Sequence, residues 1–403
     1  MAKQGPESRN FIPVEYETMS SPLLTFSRRL RETPFTSRIL AGGAKSLTVY
    51  NHTLLPSWFR SLEEDYWHLV EHVQVWDVSC ERQVQLQGPD AAKLVQLMTP
   101  RDLSKAQDDQ CFYVPLCDQR GHIMNDPIAI KIDADTWWLS ISDSDIYLWA
   151  KGIAFGAGLN VEVSQPRVWP IAVQGPKAET LMARLFGDDV NSIRFFRYKR
   201  LAWQGHEFIV ARSGWSGQGG FEIYIDDAAI GQQLWDEFFA QGEDLNVGHG
   251  CPNNIERMES GLLSFGSDMD YSHTPLQCGL DRYCQLDLDL PSMSMEALRA
   301  QRDAGVPSRL MGVVAREVPF IASDCELIVN GKSVADITSQ TLSARYNAWL
   351  AFAYFDSGVI ADLLQNDTPM QLKSGDDVYP ATLHEMPMKL DEMGLSSRVE
   401  TAA

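Results

Sequence analysis

The sequence has no CxxC pair, no HExxH helix and no phosphate-cradling GxxxxGK[ST] loop. Its seven cysteines, at 80, 111, 117, 251, 278, 284 and 325, are odd in number. A disulfide framework and a zinc site are therefore not expected, no metal is expected, and a reducing, cytoplasmic setting fits. No cysteine has a context that marks it as a nucleophile. Basic residues are scarce, 34 against 54 acidic, for a net charge of −20. A basic footprint for nucleic acid is thus missing, and the acidity reads as a solvated surface. No apolar run reaches membrane-spanning length, so no membrane partner is expected. The stretch Met1 to Ser21 lacks a continuous apolar core and reads as a loose leader, not a secretory signal. The polar end from about Leu390 to Ala403 reads as a frayed tail.

What is present is an ordinary globular composition, 44% hydrophobic and 22% charged, in a chain of 403 residues. That length exceeds one hydrophobic core and predicts two or three domains. A weak internal repeat shapes the fold expectation. Val84-Gln85-Leu86-Gln87-Gly88-Pro89-Asp90-Ala91 is matched by Ala172-Val173-Gln174-Gly175-Pro176-Lys177-Ala178. Each copy alternates like a strand, turns at Gly-Pro, and enters a helical pattern. Ala91, Leu94, Val95 and Met98 share one helical face, as do Ala178, Leu181, Met182 and Leu185. Two such units predict duplicated α+β lobes. Strand-like runs also cover Ile128 to Ile132, Trp137 to Ser142, Glu207 to Ala211 and Phe221 to Ile225, with an extended pattern between Gly158 and Pro170. Asn253 to Phe265 reads as a helix with Ile255, Met258, Leu262 and Phe265 on one face. From about Ser308 short strands dominate, with turns expected at Asn330-Gly331 and Asp356-Ser357-Gly358, which predicts a small all-β domain.

Two segments carry features that a core does not require. In the first, Tyr113 to Pro127, a hairpin around Gln119 to His122 leaves Asp126 at the head of the apolar strand Ile128 to Ile132. A carboxylate there is either a turn residue or a site residue, and pattern alone favours the turn. In the second, Arg212 to Glu222, four glycines fall within seven residues between two strands. Such a loop either lets backbone approach a ligand or forms a hairpin tip. It runs into a strand rather than a helix, so the dinucleotide fingerprint does not apply.

These segments also carry a resemblance. Tyr113, Asp126, RSGWSGQGGFE at 212 to 222, ERMESGLLSFGSDM at 256 to 269 and TPLQCGL at 274 to 280 occur in the order seen in the glycine-cleavage T-protein superfamily. VWDVS at 75 to 79 and GPDA at 88 to 91 agree, and the similarity runs from about residue 28 to 385. It implies a T-protein-like α+β fold, with duplicated lobes around a central cavity for tetrahydrofolate and a C-terminal β-barrel. The implied divisions are a flexible leader at 1–26, a folate-binding region of two intertwined lobes at 27–305, the barrel at 306–388 and a flexible tail at 389–403.

By the same resemblance the pterin-side aspartate is Asp126, its tyrosine is Tyr113 and the motif-ending glutamate is Glu222. Trp215 stands where the family has a tyrosine, and Gln218 where it has a second glutamate. Arg257 survives from the motif whose arginine holds the folate tail, but the match is not clean. Long stretches, among them SRRLRETPF at 27 to 35, TVYNHTLLP at 48 to 56 and HVQVWDVSCERQV at 72 to 84, resemble the branch that demethylates dimethylsulfoniopropionate. That resemblance implies transfer of a methyl group to tetrahydrofolate as co-substrate, with Asp126 as the catalytic residue. Tyr113 and Trp215 are the preferred walls for the sulfonium, with Trp169 and Phe265 beside them. Arg212, Arg28, Arg29 and Lys199 are candidates for its carboxylate. The readings left open are an aminomethyltransferase, a demethylase of dimethylglycine or betaine, and a non-enzymatic folate-binding maturation factor, whose late Cys motif is missing here. A homodimer is compatible with all of them.

Overall fold

A computed structural model describes residues 27–395 apart from Ser323 and Asp367. The expected leader at 1–26 lies outside the described residues, as does the end of the expected tail.

The two lobes are built by the same recipe. The first runs β2 (Gln83–Gln87), α1 (Ala91–Met98), β3 (Cys111–Tyr113), β4 (Ile128–Lys131), β5 (Thr136–Ser140), α2 (Ile146–Gly156) and β6 (Glu162–Ser164), and it is preceded in the chain by β1 (Val73–Asp77). The second runs β7 (Trp169–Gln174), α3 (Ala178–Phe186), β8 (Tyr198–Trp203), β9 (His206–Ala211), β10 (Gly220–Ile225), α4 (Ala228–Gln241) and β11 (Val247–Gly250). The first sheet is ordered β6-β2-β5-β4-β3 and the second β11-β1-β7-β10-β9-β8. The orders are identical once β1 is removed. The early strand β1 is inserted between β11, which it meets parallel, and β7, which it meets antiparallel. The lobes are therefore interlocked, as the repeat around Gly88 and Gly175 suggests.

Alternation assigns the faces of each sheet. On the second sheet Val73, Val75, Ile171, Val173, Phe221 and Ile223 bury against α3 and α4. On the first, Val84, Leu86, Trp137 and Leu139 bury against α1 and α2. The opposite faces meet through Cys111, Ile130, Ile209, Ala211 and Tyr224. That shared face also carries amides and hydroxyls, Gln83, Ser140 and Gln174 among them, and it is where the site lies.

The segment from Asn253 departs from expectation. Its helix, α5 (Asn254–Glu259), is only six residues long, capped by Asn253 Oδ1 accepting from the amides of Ile255 and Glu256. Gly261, at φ +69°, ends it. Ile255, Met258 and Phe265 are still buried, but Phe265 is reached by an irregular loop. Further on come α6 (Met295–Ala304), β12 (Ser308–Arg316), β13 (Cys325–Val329), β14 (Lys332–Ser333), β15 (Ala335–Ser343), β16 (Ala348–Asp356), α7 (Ser357–Gln365), β17 (Met370–Ser374) and β18 (Asp377–His384). The seven strands form one antiparallel sheet, β14-β13-β17-β18-β12-β16-β15. The sheet was expected. The helix α7 departs from expectation: Asp356-Ser357-Gly358 starts it in place of a turn, because Val359, Ile360 and Leu363 pack on the sheet. The first residues of the expected tail are packed. Met388, Leu390 and Leu395 are buried, and Tyr346 donates to Asp391 at 2.7 Å.

Candidate active site

The crossing from β1 to β2, residues 78–82, carries the chain from the second sheet to the first. It is firmly held. Ser79 Oγ donates to the Pro170 carbonyl, Asn51 Nδ2 to the Cys80 carbonyl and Gln83 Nε2 to the Glu81 carbonyl. Asn51 forms the tip of an N-terminal hairpin, Ser46–Tyr50 with Thr53–Trp58, and its side-chain amide also reaches the carbonyls of Ile141 and Ser142. Asn125 bonds both the amide and the carbonyl of Ser142. These contacts bring Tyr50, Glu81, Asp126 and Ser142 together from four separate stretches of chain.

Asp126 is 8% exposed. Its carboxylate accepts from Ser142 Oγ at 2.5 Å and from Tyr113 Oη at 3.1 Å. Burial pushes its pKa up to about 7, against the pull of those two hydroxyls toward the charged form. Glu222 lies across the interface on β10, 7% exposed, accepting a short hydrogen bond from Ser213 in the glycine loop. Burial raises its pKa as well. Glu81 is the third acid. Burial raises its pKa strongly, and the charges of both Glu222 and Asp126 raise it further. Glu81, Tyr50 and Tyr113 each keep exposed area, yet desolvation is the largest influence on all three. Among the described residues none of the three carboxyl groups forms an ion pair.

The glycine loop is a packed object, not a loose tip. Gln174 on β7 accepts from Ser216 Oγ at 2.6 Å and donates to the Ser213 carbonyl at 3.2 Å. A Cβ on Gly220 would lie 2.2 Å from the Val173 carbonyl oxygen, at φ +144°. Gly220→Ala is therefore expected to lower stability by more than about 1 kcal/mol, read as a shift in the denaturant midpoint. An unchanged midpoint would mean that β10 can move off β7. Trp215 lies under Arg257, whose guanidinium carbon is 5.8 Å from the ring centroid, so one face of Trp215 already meets an internal cation.

The structure brings Tyr113, Asp126 and Glu222 to one region, and Phe265 into the apolar cluster that Tyr113 borders. Two expected residues sit elsewhere. Trp169 shares the parity of Ile171 and Val173, so it packs on the helix-covered face, opposite Ala172 and its partner Glu222. It lines a cleft of 240 Å³ with Arg31, Arg82, Gln83 and Arg167. Arg212 follows inward-facing Ala211 and so points the other way, where it pairs with Glu179 on α3 and crosses the Phe221 ring. Of the other carboxylate candidates, Lys199 reaches Ser192, while Arg28 and Arg29 are exposed. Sequence reasoning missed Glu81, Tyr50 and Ser142. A signal existed in β2, where Gln83 and Gln85 alternate with buried Val84 and Leu86 and so mark a polar face between sheets.

Interlocked lobes that close on a buried acid-and-hydroxyl site define a group-transfer enzyme of the T-protein kind. The family model described as the GCVT N-terminal domain matches residues 35–288, and the chain belongs to that family. It is 48% identical to the dimethylsulfoniopropionate demethylase DmdA of Ruegeria pomeroyi, over 89% of this chain and 97% of that one. It is 27% identical to an aminomethyltransferase of Lysinibacillus sphaericus, over 78% and 87% of the two chains. In fold it matches the glycine cleavage system aminomethyltransferase T of Bartonella henselae, with TM-score 0.77, 19% identity, and 89% and 98% of the chains covered. Among the described residues no helix is long and apolar enough to cross a membrane.

Proposed function

We propose that this enzyme moves one methyl group from dimethylsulfoniopropionate to tetrahydrofolate, giving 5-methyltetrahydrofolate and methylmercaptopropionate. The observation that carries the reading is a set of two buried carboxyl groups, Asp126 and Glu222, held by the hydroxyls of Ser142, Tyr113 and Ser213 and, among the described residues, by no ion pair. The 48% identity to a demethylase of that sulfonium supports the same choice over the 27% relatives that are aminomethyltransferases.

The donor set also fits a reduced pterin, whose ring N–H groups need buried acceptors. Asp126 and Glu222 supply them from opposite lobes. Bound there, the pterin supplies the nucleophilic nitrogen N5. The sulfonium leaves as a neutral thioether, so no strong general acid is required. What remains for the protein is alignment, with reacting atoms held roughly 3–3.5 Å apart. Tyr113, whose ring lies 4.8 Å from that of Tyr283 with the planes tilted by 53°, offers an aromatic wall to the cation.

The deciding experiment supplies the protein with tetrahydrofolate and, in separate reactions, dimethylsulfoniopropionate, betaine, dimethylglycine and a lipoylated aminomethyl carrier. Formation of 5-methyltetrahydrofolate from the sulfonium alone is expected. Activity confined to the carrier, or folate binding without any turnover, overturns the reading.

A further inference from the structure

Tetrahydrofolate continues past its pterin into a p-aminobenzoyl ring, an amide N–H and a glutamate that carries carboxylates. The arginine left from the family's tail motif, Arg257, is buried against Asp268 and is not free to meet them. We propose that the cleft bounded by Arg31, Arg82 and Arg167 holds the glutamyl carboxylates of tetrahydrofolate, with Gln83 Oε1 accepting from the amide N–H. The inference rests on the folate-dependent reading above and adds residues to it.

The first observation is charge. Basic residues are scarce in this chain, 34 against 54 acidic, yet three arginines converge on one cleft of 240 Å³. Among the described residues none of the three forms an ion pair. Half-buried Arg82 donates to Gln165 Oε1, a neutral acceptor. Arg167 lies over Trp169, its guanidinium carbon 5.9 Å from the ring centroid. Burial lowers the pKa of Arg82 and the charge of Arg31 lowers it further, against the pull of Asp145. Two arginines that repel one another are relieved by an anion between them. The lining holds one carboxylate, Glu32, which is exposed.

The second observation is a buried acceptor. Gln83 is 1% exposed and lines the same cleft. Its Nε2 donates to the Glu81 carbonyl at 2.9 Å and to Ser140 Oγ at 2.8 Å, which fixes the orientation of the amide. Its Oε1 is left buried with no partner among the described residues. A buried acceptor without a donor calls for one from a ligand. An N–H beside carboxylates is what a glutamyl amide presents, and arginine is the side chain that matches a carboxylate in two prongs. The sulfonium substrate also has a carboxylate, but it has no N–H, and three arginines would repel its cationic end. Position agrees. The Arg82 carbonyl accepts from the Ile141 amide at 3.1 Å, and the next residue is Ser142, the partner of Asp126. The cleft and the pterin acceptor therefore flank the same short segment after β5.

Calorimetry with p-aminobenzoyltriglutamate, a fragment that lacks the pterin, tests the cleft without turnover. The wild type is expected to bind it, more weakly as salt is raised. Arg82→Gln and Arg167→Gln should each weaken that binding about 10-fold. Arg167 is exposed, so its replacement serves as the test if Arg82→Gln does not fold. Arg200→Gln removes the same charge from β8, at the edge of the second sheet, and should leave fragment binding unchanged. A wild type that binds tetrahydrofolate but not the fragment, or fragment binding that both cleft variants keep, overturns the tail assignment alone. Cleft variants that weaken binding of dimethylsulfoniopropionate but not of the fragment give the arginines to the substrate carboxylate and also overturn it. A wild type that binds no tetrahydrofolate overturns the folate-dependent reading, and the role of the cleft with it.

Discussion

Asp126→Asn is expected to slow methyl transfer by about 10²–10⁴-fold in a protein that folds at least as well as the wild type. The two effects have one cause. The Asp126 carboxyl is buried with only Ser142 and Tyr113 as donors, and its pKa stands at about 7 rather than at an ordinary carboxylate value. A carboxyl whose folded pKa is raised binds its proton more tightly in the native state than in the unfolded one. Its contribution to stability is therefore full at low pH and is lost as pH rises toward 7. Asn removes that loss. Denaturant melts should show the variant gaining on the wild type between about pH 4 and about pH 7. The rate should behave oppositely. Wild-type turnover should climb through about pH 7 as Asp126 ionises and accepts from the pterin, and Asp126→Asn should lack that limb. Tyr113→Phe removes a hydroxyl that favours the charged form, so the limb should move to higher pH. Unchanged turnover in Asp126→Asn would remove the residue from the site.

The second large effect is on stability. Arg257 and Asp268 are 5% and 0% exposed and pair at 2.6 Å. Arg257 also donates to Asn254, the Leu262 carbonyl and Ser339, while Asp268 accepts from Ser339, Thr338 and the Ser264 amide. The pair thus ties α5 and its following loop to β15 of the C-terminal sheet. Arg257→Met leaves Asp268 charged, buried and without its cation. Such losses cost about 3–5 kcal/mol, read from the denaturant midpoint. The double variant Arg257→Met with Asp268→Asn should be less destabilised than the sum of the single changes, because neither charge is then stranded. Additive effects would mean that the pair is not coupled. Arg257 also lies over Trp215 and Phe352, so its loss should loosen the tip of the glycine loop.

Much of the architecture is legible from local rules. Gly88-Pro89 and Gly175-Pro176 mark equivalent turns because each glycine sits at positive φ against another backbone, at +142° and +120°. The first helix that follows buries the whole face its spacing predicts, while the second buries Ala178, Leu181 and Met182 with Phe186 and leaves Leu185 half-buried. Short-range pattern fails where long-range packing decides. The run after Asn253 keeps a helical spacing of apolar residues through Phe265, yet α5 ends at Glu259 because Gly261 packs against Pro387 far along the chain. Trp169 looks like a cage residue until the register beside Ile225 fixes its parity. Asp126 reads more readily as a turn residue because Ser142, its partner, is 16 positions away. Glu81 is invisible for a related reason. Nothing local distinguishes it from a surface glutamate, and only the meeting of two sheets makes it deep.

The borrowed strand β1 sets where this gene can be divided. A break in the linker near residue 166, where the sequence repeat invites a cut, would leave the downstream half without the strand that separates β7 from β11. Both flanking edges would then be bare and open to pairing with other chains. The halves look like tandem copies on paper, but they cannot be expressed as separate pieces, and a two-chain version of this enzyme would have to be opened elsewhere.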